Sequence, residues 1–146
     1  MQSEQDTSKS QRQIYNPPDI HPPVPTYSHI AITPISDTAR LITFAGQVGI
    51  DPQGNVAPDY ASQFELALEN LSKCLAFANC KKEEIVHVRL FIVGKPGVKA
   101  DEEARKSLLG KFWEGMQPPP DTLLYVAALA LPELLFEIEA TVVGKL

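Results

Sequence analysis

The chain has 146 residues, 44% of them hydrophobic, and a formal charge of −5, room for one compact domain with a true core and hardly for two. An acidic balance with no run of Lys and Arg argues against nucleic acid or an anionic membrane surface as a partner. No apolar run approaches the roughly 20 residues that span a bilayer.

Met1 to about Thr26 differs in composition from the rest. It is Gln/Ser-rich to Gln13 and then proline-punctuated, from Asn16-Pro17-Pro18 to Pro22-Pro23-Val24-Pro25. Prolines remove donors and fix φ, so this arm is expected to be neither helix nor inner strand. Residues 1–26 read as a surface extension with a solvated His21, and 27–146 as the domain. The polar start carries no signal-peptide apolar region.

Tyr27 to Thr33 and Arg40 to Ala45 read as two short strands, joined at Pro34-Ile35-Ser36-Asp37-Thr38 into a hairpin. Asp51-Pro52-Gln53-Gly54-Asn55 is a second turn. From Asp59 the period changes: Phe64, Leu68, Leu71, Leu75 and Ala78 form an apolar stripe, with Gln63, Glu65, Glu69 and Lys73 facing away. Ser62-x-x-Glu65 or Asp59 supplies the N-cap, and Asn79 the left-handed end. Ile85 to Val93 is a β-branched run that places Val86, Val88, Leu90 and Ile92 on one face and His87, Arg89 and Phe91 on the other. A second amphipathic helix runs from Asp101 to Trp113, with Ala104, Leu108, Leu109 and Phe112 inward. After Pro118-Pro119-Pro120, Leu123 to Leu129 and Leu134 to Val143 complete the strands.

The order β-β-α-β-α-β-β gives two helices, too few to cover both faces of the sheet. An α+β layer with both helices on one face of a mixed sheet is the natural solution. The other face then carries Leu135, Glu137, Glu139 and Thr141 from the last strand and His87, Arg89 and Phe91 from the middle one. That mixture predicts burial by oligomerisation, with polar clefts left between subunits.

Cys74 and Cys80 lie six apart in an apparent helix, about 600° at 100° per residue, so a mutual disulfide is not expected. They read as core thiols, and a reduced cytoplasmic setting follows. There is no Cys/His cluster at metal spacing, no phosphate-binding glycine loop and no nucleophile elbow.

Several residues leave two readings open. Glu137 is either a general base in a half-dry cleft or a strand carboxylate paired with Arg89 or Lys145. Glu139 reads as the partner of Arg89 or His87. Tyr27 is a cleft phenol or a surface ring, and Asp121 an acid-base group or a flanking cap.

At this point the chain resembles the Rid (YjgF) family, the reactive-intermediate deaminases, from about Tyr27 to Val143. The residues that carry the resemblance are Tyr27-Ser28-His29, Phe44-Ala45-Gly46-Gln47, the helix segment Leu68-Glu69-Asn70-Leu71, and Glu137-Ile138-Glu139-Ala140. The resemblance implies a chorismate-mutase-like α+β fold, a homotrimer with a small-molecule cleft at each subunit interface, and no cofactor or metal. In active deaminases of the family an arginine grips the carboxylate of an imino or enamino acid, while a glutamate positions the attacking water. Glu137 falls on that glutamate, Tyr27 on the cleft tyrosine and Gly46 on the backbone lining the site.

The arginine has no counterpart: Pro120 is followed by Asp121 and Thr122. An anion facing an anionic substrate at about 4 Å costs on the order of 4 kcal/mol at an effective dielectric near 20. The resemblance therefore implies acid-base chemistry by Glu137, with Asp121, on an enamine, imine or enolisable carbonyl lacking the usual carboxylate. Tyr27, Gly46, Thr122 and Arg89 would line the cleft. A non-catalytic ligand-binding or chaperone-like trimer and a 2-iminoacid deaminase of the family type are the alternatives.

Overall fold

The computed structural model describes residues 11–146; the Gln/Ser-rich start of the arm, residues 1–10, lies outside them. In chain order the elements are β1 (Gln13–Tyr15), β2 (Ile30–Pro34), β3 (Ala39–Phe44), β4 (Gln47–Val48), α1 (Tyr60–Phe77), β5 (Ile85–Val93), α2 (Lys99–Phe112), β6 (Asp121–Val126) and β7 (Phe136–Lys145). The seven strands form one mixed sheet in the order β1-β2-β3-β7-β5-β6, with β4 pairing β7 beyond the end of β3. Every pairing is antiparallel except that of β5 with β6. That single parallel pair is possible because α2 is the crossover between its strands.

The expected α+β layer is present. α1 packs against β4 and β7, and α2 against α1. Asp59 is the N-cap of α1: its backbone is extended and its Oδ1 accepts the Ser62 N–H at 2.9 Å. Asn79, at φ 53°, ends the helix in the left-handed region. Arg40 Nη2 donates to the Ala78 carbonyl at 2.9 Å, placing a cation at the negative end of the helix. Inside, Phe64 of α1 stacks on Phe136 of β7 with ring centroids 3.7 Å apart, and neither ring reaches solvent. Ile42, Leu71, Leu90, Ile138 and Val142 complete this buried layer.

Several expectations are corrected. The arm is more than an extension lying on the surface: β1 is an edge strand paired with β2, and Ile20 and His21 are buried. His21 is therefore not solvated; its ring stands edge-on to His29 at 5.0 Å. Tyr27 closes the Pro25–Thr26 turn, its N–H donating to the Val24 carbonyl, and the strand begins only at Ile30. Gln63 does not face away from the core. It is buried, its Nε2 donating to the Ala57 and Glu133 carbonyls and its Oε1 accepting the Leu135 N–H at 2.8 Å. Asn70 is likewise buried and donates to the carbonyls of Val48 and Ile50.

Val86 is exposed rather than core-facing, because the pairing of β5 with β7 slips between Ile85 and His87. This bulge puts Ile85 and Val88 together on the helix side. β6 stops at Val126, short of Leu129. Cys80 lies past the helix end; both cysteines are free thiols, and burial pushes the Cys74 thiol up to about 12.

Candidate functional site

The site grows from the corner between β3 and β4. Thr43 pairs with Thr141 and Gln47 with Ile138, so four steps along one strand oppose three along the other. The extra residue bulges at Ala45–Gly46. A Cβ built on Gly46 would lie 1.8 Å from Glu137 Oε1 and 2.7 Å from its Cγ. Glycine is required here for close approach, since the Glu137 side chain occupies that space.

The corner is held from beneath by a buried polar chain. Gln47 Nε2 donates to the Ala45 carbonyl at 2.9 Å and to His29 Nδ1 at 3.2 Å. His29 Nε2 then donates to the His21 carbonyl at 2.9 Å, which assigns the neutral tautomer. Burial lowers the pKa of His29, consistent with that assignment. The His29 N–H is received by Asn16 Oδ1, so the amino-terminal arm helps to position the corner.

Glu137 is half-buried, and desolvation followed by the neighbouring Glu139 raises its pKa. Among the described residues no cation lies within 4.0 Å of its carboxylate. Tyr27 feels it: the phenol pKa is raised first by burial and then by the Glu137 charge. Tyr27, Gly46 and Glu137 are thus brought together at the corner.

Arg89 and Thr122 lie next to one another on neighbouring strands. Arg89 pairs in register with both Glu139 and Thr122, and its guanidinium is engaged with the Glu139 carboxylate. Thr122 Oγ1 lies 3.4 Å from His87 Nε2. These groups form a polar row across the open face of the sheet beside Glu137.

Asp121 does not join Glu137 within one chain. It pairs with Val88, and strand alternation puts it with Leu123 and Tyr125 on the helix side. Glu137 pairs with Phe91, and Phe91 with Leu124, on the opposite side. Three residues along and two strands across separate the backbones by about 14 Å at 3.3 Å per residue and 4.8 Å per strand.

A cavity of about 610 Å³ opens beside the corner, and Arg12, Ile14, Tyr27, Thr43 and Ala45 are among its lining residues. Sequence reasoning passed over Arg12. The available signal was its spacing of two from Ile14, which gives the two one face in an extended segment.

A mixed sheet with both helices packed on one side is the α+β arrangement of the YjgF/Rid class. The solved structures agree. The Rid protein YyfA from Yersinia pestis, described as of unknown function, superposes with a TM-score of 0.76 at 20% identity, over 90% of this chain and 98% of that one. Yeast Mmf1 does so with a TM-score of 0.77 at 20% identity, over 92% and 100%. Protein YJGH gives 0.72 at 26% identity, over 90% and 95%. The family model described as endoribonuclease L-PSP matches residues 20–144, and the chain belongs to this family. No curated protein sequence matches it significantly. Among the described residues no helix is long and apolar enough to cross a membrane, and no group of three His, Cys, Asp or Glu could hold a metal ion.

Proposed function

We propose that the chain is a small-molecule enzyme that acts on an imine, an enamine or an enolisable carbonyl by acid-base chemistry at Glu137. One observation carries this reading: a half-buried carboxylate with a raised pKa, seated on the Gly46 corner beside the Tyr27 phenol. A desolvated carboxylate is a stronger base than one in water, and positioned proton transfer contributes about 10²–10⁴-fold. Taking a proton from an attacking water, or from the carbon next to a carbonyl, is within its reach. The Tyr27 hydroxyl can donate to the developing oxygen or nitrogen.

The working unit is a homotrimer with the sites between subunits. Ile14, Leu124 and Val143 are exposed on the face that carries Glu137, and a monomer would leave them to water. An assay generating 2-aminoacrylate, together with an enolisable ketone probe, tests the reading. Turnover above the spontaneous rate that falls at least 100-fold in Glu137→Gln supports it. A trimer that turns over neither probe refutes it.

A second reading, a non-catalytic ligand-binding trimer, draws on the engagement of Arg89 by Glu139, which leaves Glu137 without a cationic partner among the described residues. Saturable binding with no turnover of either probe would favour it.

A further inference from the structure

Two buried histidines sit where the amino-terminal arm meets the reactive corner. His29 is 0% and His21 6% exposed, and their rings stand edge-on at 5.0 Å. The arm supplies the His21 carbonyl, which accepts from His29 Nε2, and Asn16 Oδ1, which accepts the His29 N–H. The His29 carbonyl in turn accepts the Ala45 N–H at 2.8 Å. His29 is therefore bonded to the arm on one side and to the corner on the other.

Gln47 makes this joint sensitive to a proton. Its Nε2 donates both to His29 Nδ1 and to the Ala45 carbonyl, while its buried Oε1 has no partner. That arrangement needs Nδ1 to be an acceptor, and a protonated imidazole is a donor at both nitrogens. With His29 charged, two donors would face each other across 3.2 Å. Turning the Gln47 amide over would offer Oε1 to His29, but would set that oxygen against the Ala45 carbonyl, 2.9 Å away. Neither orientation of the amide then satisfies both neighbours.

Nothing nearby compensates the charge. The charged and titratable groups on the elements packed around the pair are Asp19 of the arm, Glu69, Lys73 and Cys74 of α1, the Tyr27 phenol and, beyond it, Glu137 of β7. Lys73 is engaged with Glu69 and with the Asp19 carbonyl. Among the described residues no carboxylate lies within 4.0 Å of either imidazole. His21 Nδ1 is buried without a partner. Burial and then the His29 ring hold His21 neutral, outweighing the Ile50 carbonyl, which favours its charged form.

We infer that His29 and Gln47 are positioning residues for the corner and form, with His21, an acid-operated release: a proton taken up by the pair frees the arm and opens the Ala45–Gly46 corner. For its effect on turnover the inference rests on the reading above, because the corner seats Glu137. The release itself does not depend on that reading. An undocked arm returns each histidine to a pKa of about 6.5. Linkage then raises the opening constant by up to about 10-fold per histidine between pH 7.5 and 5.5.

Hydrogen exchange of the full chain, corrected for the chemical exchange rate at each pH, reads the release without a substrate. Amides of residues 11–26 and of the corner should open together, up to about 100-fold more at pH 5.5 than at pH 7.5, and ahead of α1. His21→Phe keeps a ring in place and removes one proton site, so the rise should shrink to about 10-fold. Gln47→Met keeps the bulk and loses the amide; the arm should still respond to pH and the corner should not. An arm equally protected at both pH values overturns the inference, as does an arm that opens only together with α1. A corner that follows pH unchanged in Gln47→Met refutes the role of the amide. Imidazole NMR of the wild type needs no variant: both rings titrating near pH 6.5 with the arm still docked would also overturn the release. Release without turnover of either probe upholds the switch and refutes the acid-base reading.

Discussion

Replacing Gly46 by alanine tests the geometry on which the functional reading depends, and needs no substrate. The new Cβ would sit 1.8, 2.5 and 2.7 Å from Oε1, Cδ and Cγ of Glu137, against the 3.5–4.0 Å of ordinary contact. Backbone strain is not the issue, since Gly46 is not among the positive-φ glycines. The Glu137 side chain must therefore swing away by roughly 1–2 Å, or the corner must open, with a stability loss of about 1–3 kcal/mol. The two cases separate in a double-mutant cycle with Glu137→Ala, read by urea unfolding at fixed protein concentration. If the Glu137 side chain is what alanine meets, Gly46→Ala becomes nearly harmless once that side chain is gone, with a coupling of about 0.5–3 kcal/mol. Additive losses would refute the argument, because the clash would then lie elsewhere. A carboxylate displaced by about 1 Å should also lose on the order of 100-fold in any turnover.

Other outcomes follow from the same contacts. Burial raises the Glu137 pKa, so the folded chain binds this proton more tightly than the unfolded one; its stabilising effect is complete below about pH 4.5 and lost as pH rises through the folded value. Glu137→Gln should therefore be more stable than wild type at pH 7.5 and no more stable at pH 4; a less stable variant at pH 7.5 contradicts the desolvation argument. His21 and His29 have lowered values, so they oppose folding as pH falls below about 6.5, and urea midpoints should drop between pH 7 and 5.5. Phe64→Ala removes a ring stacked on Phe136 and should cost about 3–5 kcal/mol in urea unfolding, with a loss under 1 kcal/mol arguing against that packing. Light scattering at micromolar concentration should give three times the chain mass; a monomer mass would sink the assembly proposed here.

Much of the layer arrangement was legible because it depends on period alone. The stripe from Phe64 to Ala78 and the β-branched run from Ile85 to Val93 state their element types directly. What period cannot convey is a partner far along the chain. Gln63 is drawn inward by Glu133 and Leu135, 70 and 72 residues away, and a polar residue on a helix otherwise reads as solvent-facing. The bulge at Val86 depends on pairing with β7, and one extra residue reverses which side chains face the core. β1 and β4, of three and two residues, are too short to show alternation. At the site, the Gly46 corner and Glu137 were legible through family likeness. The separation of Asp121 from Glu137 was not, since it follows from strand parity across three paired strands.

The placement of β7 bears on how the chain reaches its native state. Last of the seven in chain order, β7 takes a central place between β3 and β5. Gly46 and Glu137, 91 positions apart by their numbers, meet only when it docks. Until then β3 and β5 each present an unsatisfied edge, and the hairpin of β2 with β3 cannot be joined to the β5-α2-β6 unit. Closing such distant pairings is slow compared with forming helices or hairpins. During synthesis, the nascent chain is therefore most prone to self-association just before its last strand becomes available, and the reactive corner is assembled in the closing event of folding.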